Sequence, residues 1–148
     1  MTFGGIIETL GERLGTEIEN AGGAAAVEID GAVVVLQDAG ELLLLRAEIG
    51  ELPGEGGDAL VMSAMKANFL YQGTGGSTLA IDPDSGRLVV QKYNWLERLD
   101  PETAFDMLGY FADTVAAWRR ILADYHPDAP DPDASGTNPF APGAFMQA

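Results

Sequence analysis

The stretch from Asp58 to Asp82 constrains the fold of this chain more than any other part of the sequence. Its pattern predicts a helix, a glycine-rich turn and a strand. Two adjoining stripes at helical spacing are largely apolar: Leu60, Ala64, Ala67 and Tyr71 on the first, and Val61, Met65, Asn68 and Phe69 on the second. A helix that is apolar around most of its girth needs more cover than one sheet face provides, so it lies either deep in a larger core or against another chain. Because the chain is short, we favour contact with another chain.

The composition fits a single globular domain. The 148 residues suffice to bury a core without metal or disulfide support, and 47% of them are hydrophobic. The formal net charge is -15, from 23 acidic and 8 basic residues. This charge argues against binding to nucleic acid or to an anionic membrane surface, because both need clustered Lys and Arg. The acidity serves general solubility or, more specifically, a carrier that must not self-associate while it holds an apolar partner.

Features that the sequence lacks exclude several classes of protein. The chain has no cysteine, which excludes a disulfide scaffold, a thiolate metal site and a cysteine nucleophile. It begins with no basic segment followed by an apolar run, so we expect no signal peptide. No apolar run approaches the roughly 20 residues that a membrane span needs. We therefore expect a cytoplasmic protein that is not inserted in a membrane.

The first half of the chain predicts a helix and an antiparallel meander. The helix starts near Phe3 after the cap Thr2 and ends at Gly15, with one apolar stripe of Phe3, Ile7, Leu10 and Leu14. Three strands follow at 25–30, 32–36 and 41–49, joined by turns at Asp30-Gly31 and Asp38-Ala39-Gly40. The runs VVVL and LLLL in the last two strands are apolar on both faces of a sheet. The second face therefore needs cover from the first helix, a second subunit or a bound ligand chain. Alternation assigns about half of these residues to the core and leaves open which half.

The second half adds the central helix, a hairpin and a long final helix. The central helix runs from the cap Asp58 to near Gly73, and the hairpin strands cover 78–82 and 87–94. Asp100-Pro101-Glu102 starts the final helix, which continues to about residue 125. Residues 126–148 are rich in Pro and Asp, and we expect a mobile tail there. The sequence thus predicts an α+β domain over residues 1–125, with a twisted antiparallel sheet of about five strands and three helices.

No pattern indicates catalysis or a bound cofactor. The glycine loop at 73–76 follows a helix and enters a strand, whereas nucleotide-binding loops lie between a strand and the helix after it. The turn at 82–86 lacks the glycine and the glutamate that complete a calcium loop. His126 is the single histidine, which leaves a Ser-His-Asp relay or a two-histidine metal site with very weak support. We therefore expect no enzyme, no cofactor and no metal site.

The order of elements and several local sequences resemble one known family. The most specific are LLLRAEIGELP at 43–53, AMKANF at 64–69, the turn at 73–76 before LAID at 79–82, and Trp118-Arg119 in the final helix. Over roughly residues 3–125 the chain resembles the class I chaperones of type III secretion, the Tir-chaperone-like (CesT) group. It departs from that pattern at Gly4-Gly5 of the first helix and in the long tail.

The resemblance implies a homodimer whose subunit interface is formed by the central helix and a neighbouring strand. It also implies apolar grooves, formed by the first helix and the sheet, that hold an extended N-terminal segment of a secreted effector and keep it soluble and competent for export. On this basis we predict partner contacts on the first helix and at outward-facing strand positions, namely Ile7, Leu10, Leu14, Val33, Val35, Leu43 and Leu45. The predicted dimer interface comprises Leu60, Ala64, Met65, Ala67 and Phe69. Burial within the subunit is the alternative for both sets.

Two other functions stay open at this point. A regulatory or adaptor domain with the same fold would bind a folded protein and have no role in secretion. An enzyme or small-ligand carrier would have a pocket between the sheet and the final helix. A dimer that captures an unfolded N-terminal segment favours the chaperone, whereas a monomer with a closed cavity favours the carrier.

Overall fold

The computed structural model describes residues 1–127, and its elements follow the predicted order. They are α1 (Phe3–Leu14), β1 (Ala24–Ile29), β2 (Ala32–Ala39), β3 (Leu42–Gly50), α2 (Gly57–Asn68), β4 (Thr78–Ile81), β5 (Leu88–Trp95) and α3 (Pro101–Ala123), with short 3-10 turns at Phe69–Tyr71 and Leu96–Arg98. The five strands form one antiparallel sheet in the order β1-β2-β3-β5-β4. The predicted α+β class is therefore confirmed.

Contacts between residues divide the chain into two compact units. The first unit comprises residues 1–47 and 91–113, and the second comprises residues 48–90 and the chain from 114 onward. Strands β3 and β5 and helix α3 each contribute residues to both units. The single domain over 1–125 stays a prediction. Of the predicted tail at 126–148, all but the first two residues lie outside the part of the chain that the structure describes.

Helix α1 of the first unit begins and ends where the sequence predicts. The Thr2 hydroxyl accepts a hydrogen bond of 3.1 Å from the Gly5 amide, which satisfies one of the free N–H groups of the first turn. Gly15 ends the helix with φ 67°, a left-handed conformation that only glycine adopts without a steric cost. The stripe that includes Phe3, Ile7 and Leu10 is buried. Docking of this stripe supplies the stability that a helix containing three glycines lacks by itself.

The meander of the first unit has one turn as predicted and one that is shifted. Asp30 and Gly31 lie at φ 50° and 79°, the left-handed pair that a tight hairpin turn requires. The second turn lies at Gly40-Glu41, so β2 continues to Ala39 and the prediction of a turn at 38–40 is wrong. The Asp38 carboxylate stabilises the turn at this position. It lies at the end of β2 and accepts a 2.9 Å hydrogen bond from the Gly40 amide.

The register between β2 and β3 separates the apolar residues of the meander into two faces. Leu36 lies opposite Leu45, and Val34 opposite Ala47, and all four are buried. The next residues along face the other way, where Val35 lies opposite Arg46. One face of this unit therefore forms the core, and the other carries a mixture of apolar and polar side chains.

Helix α2 of the second unit is shorter than predicted at its C-terminal end. It begins after Gly56, and Asp58 lies in its first turn rather than at its cap. It ends at Asn68, whereas the sequence predicted an end near Gly73. The physical reason is that Leu70 and Tyr71 adopt left-handed conformations, with φ 52° and 58°, which interrupt the right-handed helix.

Glycine is required at the end of this interruption. The Gly73 amide donates a 3.0 Å hydrogen bond back to the Ala67 carbonyl. A Cβ atom on Gly73 would lie 2.6 Å from the Ala67 Cβ, closer than two carbon atoms can approach. The Asn68 side chain then ties the helix to β4, because its amide oxygen and nitrogen bond the Leu79 amide and carbonyl at 2.8 and 3.0 Å.

The long helix α3 starts as the sequence predicts. The Asp100 carboxylate accepts a 2.7 Å hydrogen bond from the Thr103 amide, and this bond lowers the pKa of Asp100. In the second unit, the Arg119 guanidinium donates to the Glu48 carbonyl at 2.9 Å. Arg87 there pairs with the carboxylates of Glu48 and Glu51, which raises the pKa of the Arg87 guanidinium.

Candidate partner-binding surfaces

The second unit exposes an apolar patch at the end of α2 and in the turn that follows. Its five side chains are between 56 and 70% exposed, and we call them the α2 patch: Met62, Met65, Phe69, Leu70 and Tyr71. The opposite stripe of the same helix is buried in the core: Leu60, Ala64 and Ala67. Helix α2 is therefore apolar on two sides, and the subunit covers one of them.

The backbone of the turn contributes to this exposure. The left-handed conformations of Leu70 and Tyr71 each cost about 1–2 kcal/mol relative to a right-handed one. Residues with large side chains rarely adopt a left-handed backbone conformation. Where they do, the strained residues are often found at functional sites. Three consecutive large apolar residues, Phe69–Tyr71, stand in solvent as a result. Exposed patches of this kind mark surfaces that contact another macromolecule.

The first unit exposes apolar residues on the sheet face that points away from its core. Val33 is 50% exposed, and Val35, Leu42 and Leu44 are half-buried. We call these four residues the outer sheet face. Strand β1 lies at the end of the sheet order and, within residues 1–127, pairs with β2 alone. An edge strand beside an apolar face is the arrangement that accepts an added strand from a partner.

A groove of about 560 Å³ runs along α1 in the same unit. Its floor is apolar and includes Ile7, Ile18 and three glycines of the helix and its cap, namely Gly4, Gly11 and Gly15. Its rim carries three exposed carboxylates, those of Glu8, Glu12 and Glu17. We call this the α1 groove.

A second cavity of the first unit is more polar. It measures about 490 Å³ and lies between the chain start at Met1–Phe3, the β2–β3 turn and the segment Trp95–Glu97. The half-exposed ring of Trp95 and the carboxylates of Asp38, Glu41 and Glu97 line it. The cavity adds to the acidity of the surface.

The structure divides the predicted partner-contact residues between core and surface. Val33 and Val35 face outward, as expected. Leu43 and Leu45 have no exposed surface, so the outward orientation predicted for them is wrong: the register places them on the core face, Leu45 opposite Leu36 and Leu43 opposite Asp38. In α1, the residues Ile7 and Leu10 are buried and Leu14 is partly exposed. Partner contact by this set stays a prediction.

The predicted dimer residues are also divided. Met65 and Phe69 belong to the exposed α2 patch, whereas Leu60, Ala64 and Ala67 are buried within the subunit. Three residues of the patch were not predicted from the sequence: Met62, Leu70 and Tyr71. Leu70 and Tyr71 were missed because the helical spacing was extended beyond Asn68. Met62 directly follows Val61 of the second apolar stripe. A wider definition of that stripe would have included Met62.

The described residues include neither a cluster of metal-binding side chains nor a helix that could span a membrane. Within residues 1–127, no group of three or more His, Cys, Asp and Glu side chains is placed to hold a metal ion. No helix among these residues combines the length and the apolar character needed to span a bilayer. Burial lowers the pKa of the Lys92 ammonium on β5, and no carboxylate contributes to that shift.

Comparisons with solved structures show the same fold in other proteins. A chain of the HopA1–SchA chaperone–effector complex is 19% identical, with a TM-score of 0.64, over 80% of this chain and 93% of that one. A chain of the heterodimeric ExoU–SpcU complex from the type III secretion system of Pseudomonas aeruginosa is 19% identical, with a TM-score of 0.64, over 82% and 98%. YbjN from E. coli, described as a putative transcription regulator, is 14% identical, with a TM-score of 0.59, over 78% and 88%.

Sequence comparison identifies the family. A search of curated proteins finds no match to the chain. The model of one family, however, matches residues 5–119, which include every helix and strand of the fold except the start of α1 and the last residues of α3. This agrees with the resemblance carried by residues 43–53, 64–69 and 73–82. The chain belongs to the Tir chaperone protein (CesT) family.

Proposed function

We propose that this chaperone binds the N-terminal segment of a secreted effector in an extended form and keeps it soluble and competent for type III export. Membership of the family supports this, and so do the chaperone–effector complexes that share its fold. The observation that carries the proposal is the outer sheet face beside the free edge of β1. Backbone groups of the edge strand can pair with an added strand of the effector, whose side chains would lie beside Ala26 and Glu28 of β1. Val35 and Val33 face these two residues from β2 and extend the surface one strand inward.

The active form is a homodimer in this proposal, joined through the α2 patch. Five large apolar side chains in solvent would cost stability and promote aggregation in a free subunit. A two-fold axis through the patch would bury the same residues of both copies against each other, as homodimers with self-complementary interfaces do. Met65 and Phe69 are the two predicted interface residues that have surface available for this contact.

The chaperone acts by binding alone and works in the cytoplasm, where an effector is synthesised before export. The acidity of the chain supports this role, because a net charge of -15 per chain keeps separate chaperone dimers from aggregating while their apolar surfaces hold a partner. The absence of clustered Lys and Arg gives no support to a nucleic acid or an anionic membrane as the partner.

Co-expression with N-terminal segments of secreted proteins tests the proposal. The chaperone and a cognate segment should co-purify, with two chaperone chains per segment by light scattering. Hydrogen exchange should show protection of the β1 backbone when the segment is bound. Capture that needs the folded part of the partner, or a complex in which β1 stays unprotected, contradicts binding of an extended segment at this edge.

A further inference from the structure

The α1 groove differs from the other apolar surfaces of the chain in the charge around it. Its floor is apolar, and three carboxylates stand on its rim: Glu8, Glu12 and Glu17. Among residues 1–127, no Lys or Arg lines the groove. Arg13, the basic residue of α1, lies over the ring of Phe105 instead, with its guanidinium carbon 5.3 Å from the ring centre. The rim is therefore an uncompensated row of negative charge beside an apolar floor.

The glycines of α1 have no side chains to fill the groove. Two of them, Gly4 and Gly11, indicate the length of partner chain that the groove accommodates. A Cβ atom on Gly4 would meet no atom of the described residues within 4 Å, so they leave the space above this glycine open. From Gly4 to Gly11, where Thr16 and Ile18 pack against the helix, the helix rises about 10 Å. An extended peptide advances about 3.3 Å per residue, so about three residues of partner chain fit along this open part of the groove. Gly11, in contrast, is required for packing, since a Cβ there would lie 2.8 Å from the Thr16 carbonyl oxygen.

We propose that the α1 groove selects an apolar segment of about three residues that is flanked by Lys or Arg, within the extended chain of the protein partner. This inference rests on the proposed function and adds the chemistry of the segment that the chaperone prefers. The apolar residues occupy the floor above Gly4 and Ile7, and the flanking cations lie at the carboxylates of the rim. Charge complementarity of this kind contributes to selectivity and to the rate of association more than to affinity.

Binding of synthetic peptides to the full chain tests the inference. Two fluorescent peptides share one apolar core of about three residues and differ in their flanks, which are lysines in one and glutamates in the other. Fluorescence anisotropy should give a dissociation constant about fivefold or more lower for the lysine peptide at low salt. The ratio should fall toward one at about 1 M salt, where exposed charges are screened within about 3 Å.

Matched variants separate the groove from the general acidity of the protein. Glu8→Gln with Glu12→Gln should remove most of the preference for lysine flanks. Asp106→Asn with Asp113→Asn changes the net charge equally at two exposed positions of α3 and should preserve that preference. Gly4→Leu fills the open space without changing any charge. It should weaken the binding of both peptides about tenfold or more. Trp95→Ala, in the second acidic cavity, should leave both affinities unchanged.

Three outcomes overturn the inference: equal affinity for the two peptides, an equal loss of preference in both double variants, or full affinity in Gly4→Leu. These outcomes are distinct from failure of the proposed function. If no effector segment co-purifies while the lysine peptide still binds in the groove, the proposed function is wrong and the inference stands. If an effector segment is captured equally by the wild-type, Gly4→Leu and Glu8→Gln/Glu12→Gln chains, the function stands and the inference is wrong.

Discussion

The indole Nε1 of Trp118 donates a hydrogen bond of 2.9 Å to the carbonyl oxygen of Gly73. Both residues are buried, so the bond joins the core side of α3 to the glycine-rich turn after α2. That turn begins directly after the exposed residues of the α2 patch. The hydrogen bond therefore holds the base of a surface that we propose as the subunit interface.

Trp118→Phe should lower the free energy of unfolding by about 1–3 kcal/mol, because it leaves the buried Gly73 carbonyl without its donor. Urea unfolding followed by circular dichroism measures the change. Trp95→Phe is the matched control, since Trp95 is half-exposed, and it should change stability by less than about 0.5 kcal/mol. Equal stability of the two variants would contradict a stabilising role for the Trp118 hydrogen bond.

Gly73→Ala should destabilise the fold by about 1–3 kcal/mol, since its Cβ would lie 2.6 Å from the Ala67 Cβ and force the turn to move. Gly109→Ala, in α3, is the matched control: its Cβ would meet no atom within 4 Å. That change should stabilise the helix by about 0.5–1 kcal/mol. Thermal unfolding of the two variants should therefore shift in opposite directions, and a shift in the same direction would refute the packing argument.

Phe69→Asp and Met65→Asp should each convert the proposed dimer into a folded monomer, because a carboxylate in the α2 patch would be buried without a partner. Sedimentation measures the mass, and circular dichroism verifies that the subunit is folded. Val33→Asp, on the outer sheet face, serves as the control and should leave the dimer intact. A folded Phe69→Asp variant that sediments as a dimer would place the interface elsewhere.

Val33→Asp should instead weaken capture of an effector segment about tenfold or more while the fold persists, because Val33 is half-exposed on the outer sheet face. Isothermal titration with a segment that the wild-type chain binds measures the loss of affinity. Leu10, which the sequence suggested as a contact, is 1% exposed, so a charge at that position would disrupt the core and give no information on binding. Unchanged affinity of the Val33→Asp variant would remove the outer sheet face from the binding site.

Lys92→Met should raise the free energy of unfolding near neutral pH, because burial disfavours the charged ammonium and lowers the pKa of Lys92 below its ordinary 10.5. The unfolded chain therefore holds this proton more tightly than the folded one does. As pH rises toward 10.5, the wild-type protein should gain stability relative to the variant, and as pH falls that contribution is lost. Denaturant unfolding at several alkaline pH values measures the difference, and a constant gap between the two proteins would contradict burial as the cause.

The sequence alone determined the features that depend on local chemistry. The cap at Thr2, the end of α1 at Gly15 and the start of α3 at Asp100 lie where the sequence predicts. Each depends on a side chain and a backbone group within a few residues of each other, so the local sequence carries the signal. The hairpin turn at Asp30-Gly31 follows the same rule. The family resemblance was also local, since it was carried by short segments of the chain.

The tertiary structure alone decided which apolar residues are surface. In β2 and β3 every position of VVVL and LLLL is equally apolar, and it is the pairing of Leu36 with Leu45 that assigns Leu43 and Leu45 to the core and Val33 and Val35 to solvent. The end of α2 was decided in the same way. The close packing of Gly73 against Ala67 and the anchoring of Asn68 to Leu79 stop the helix and leave the next three side chains exposed. Periodicity reports how apolar a stripe is, whereas only contacts between distant residues determine which stripe the subunit itself can cover.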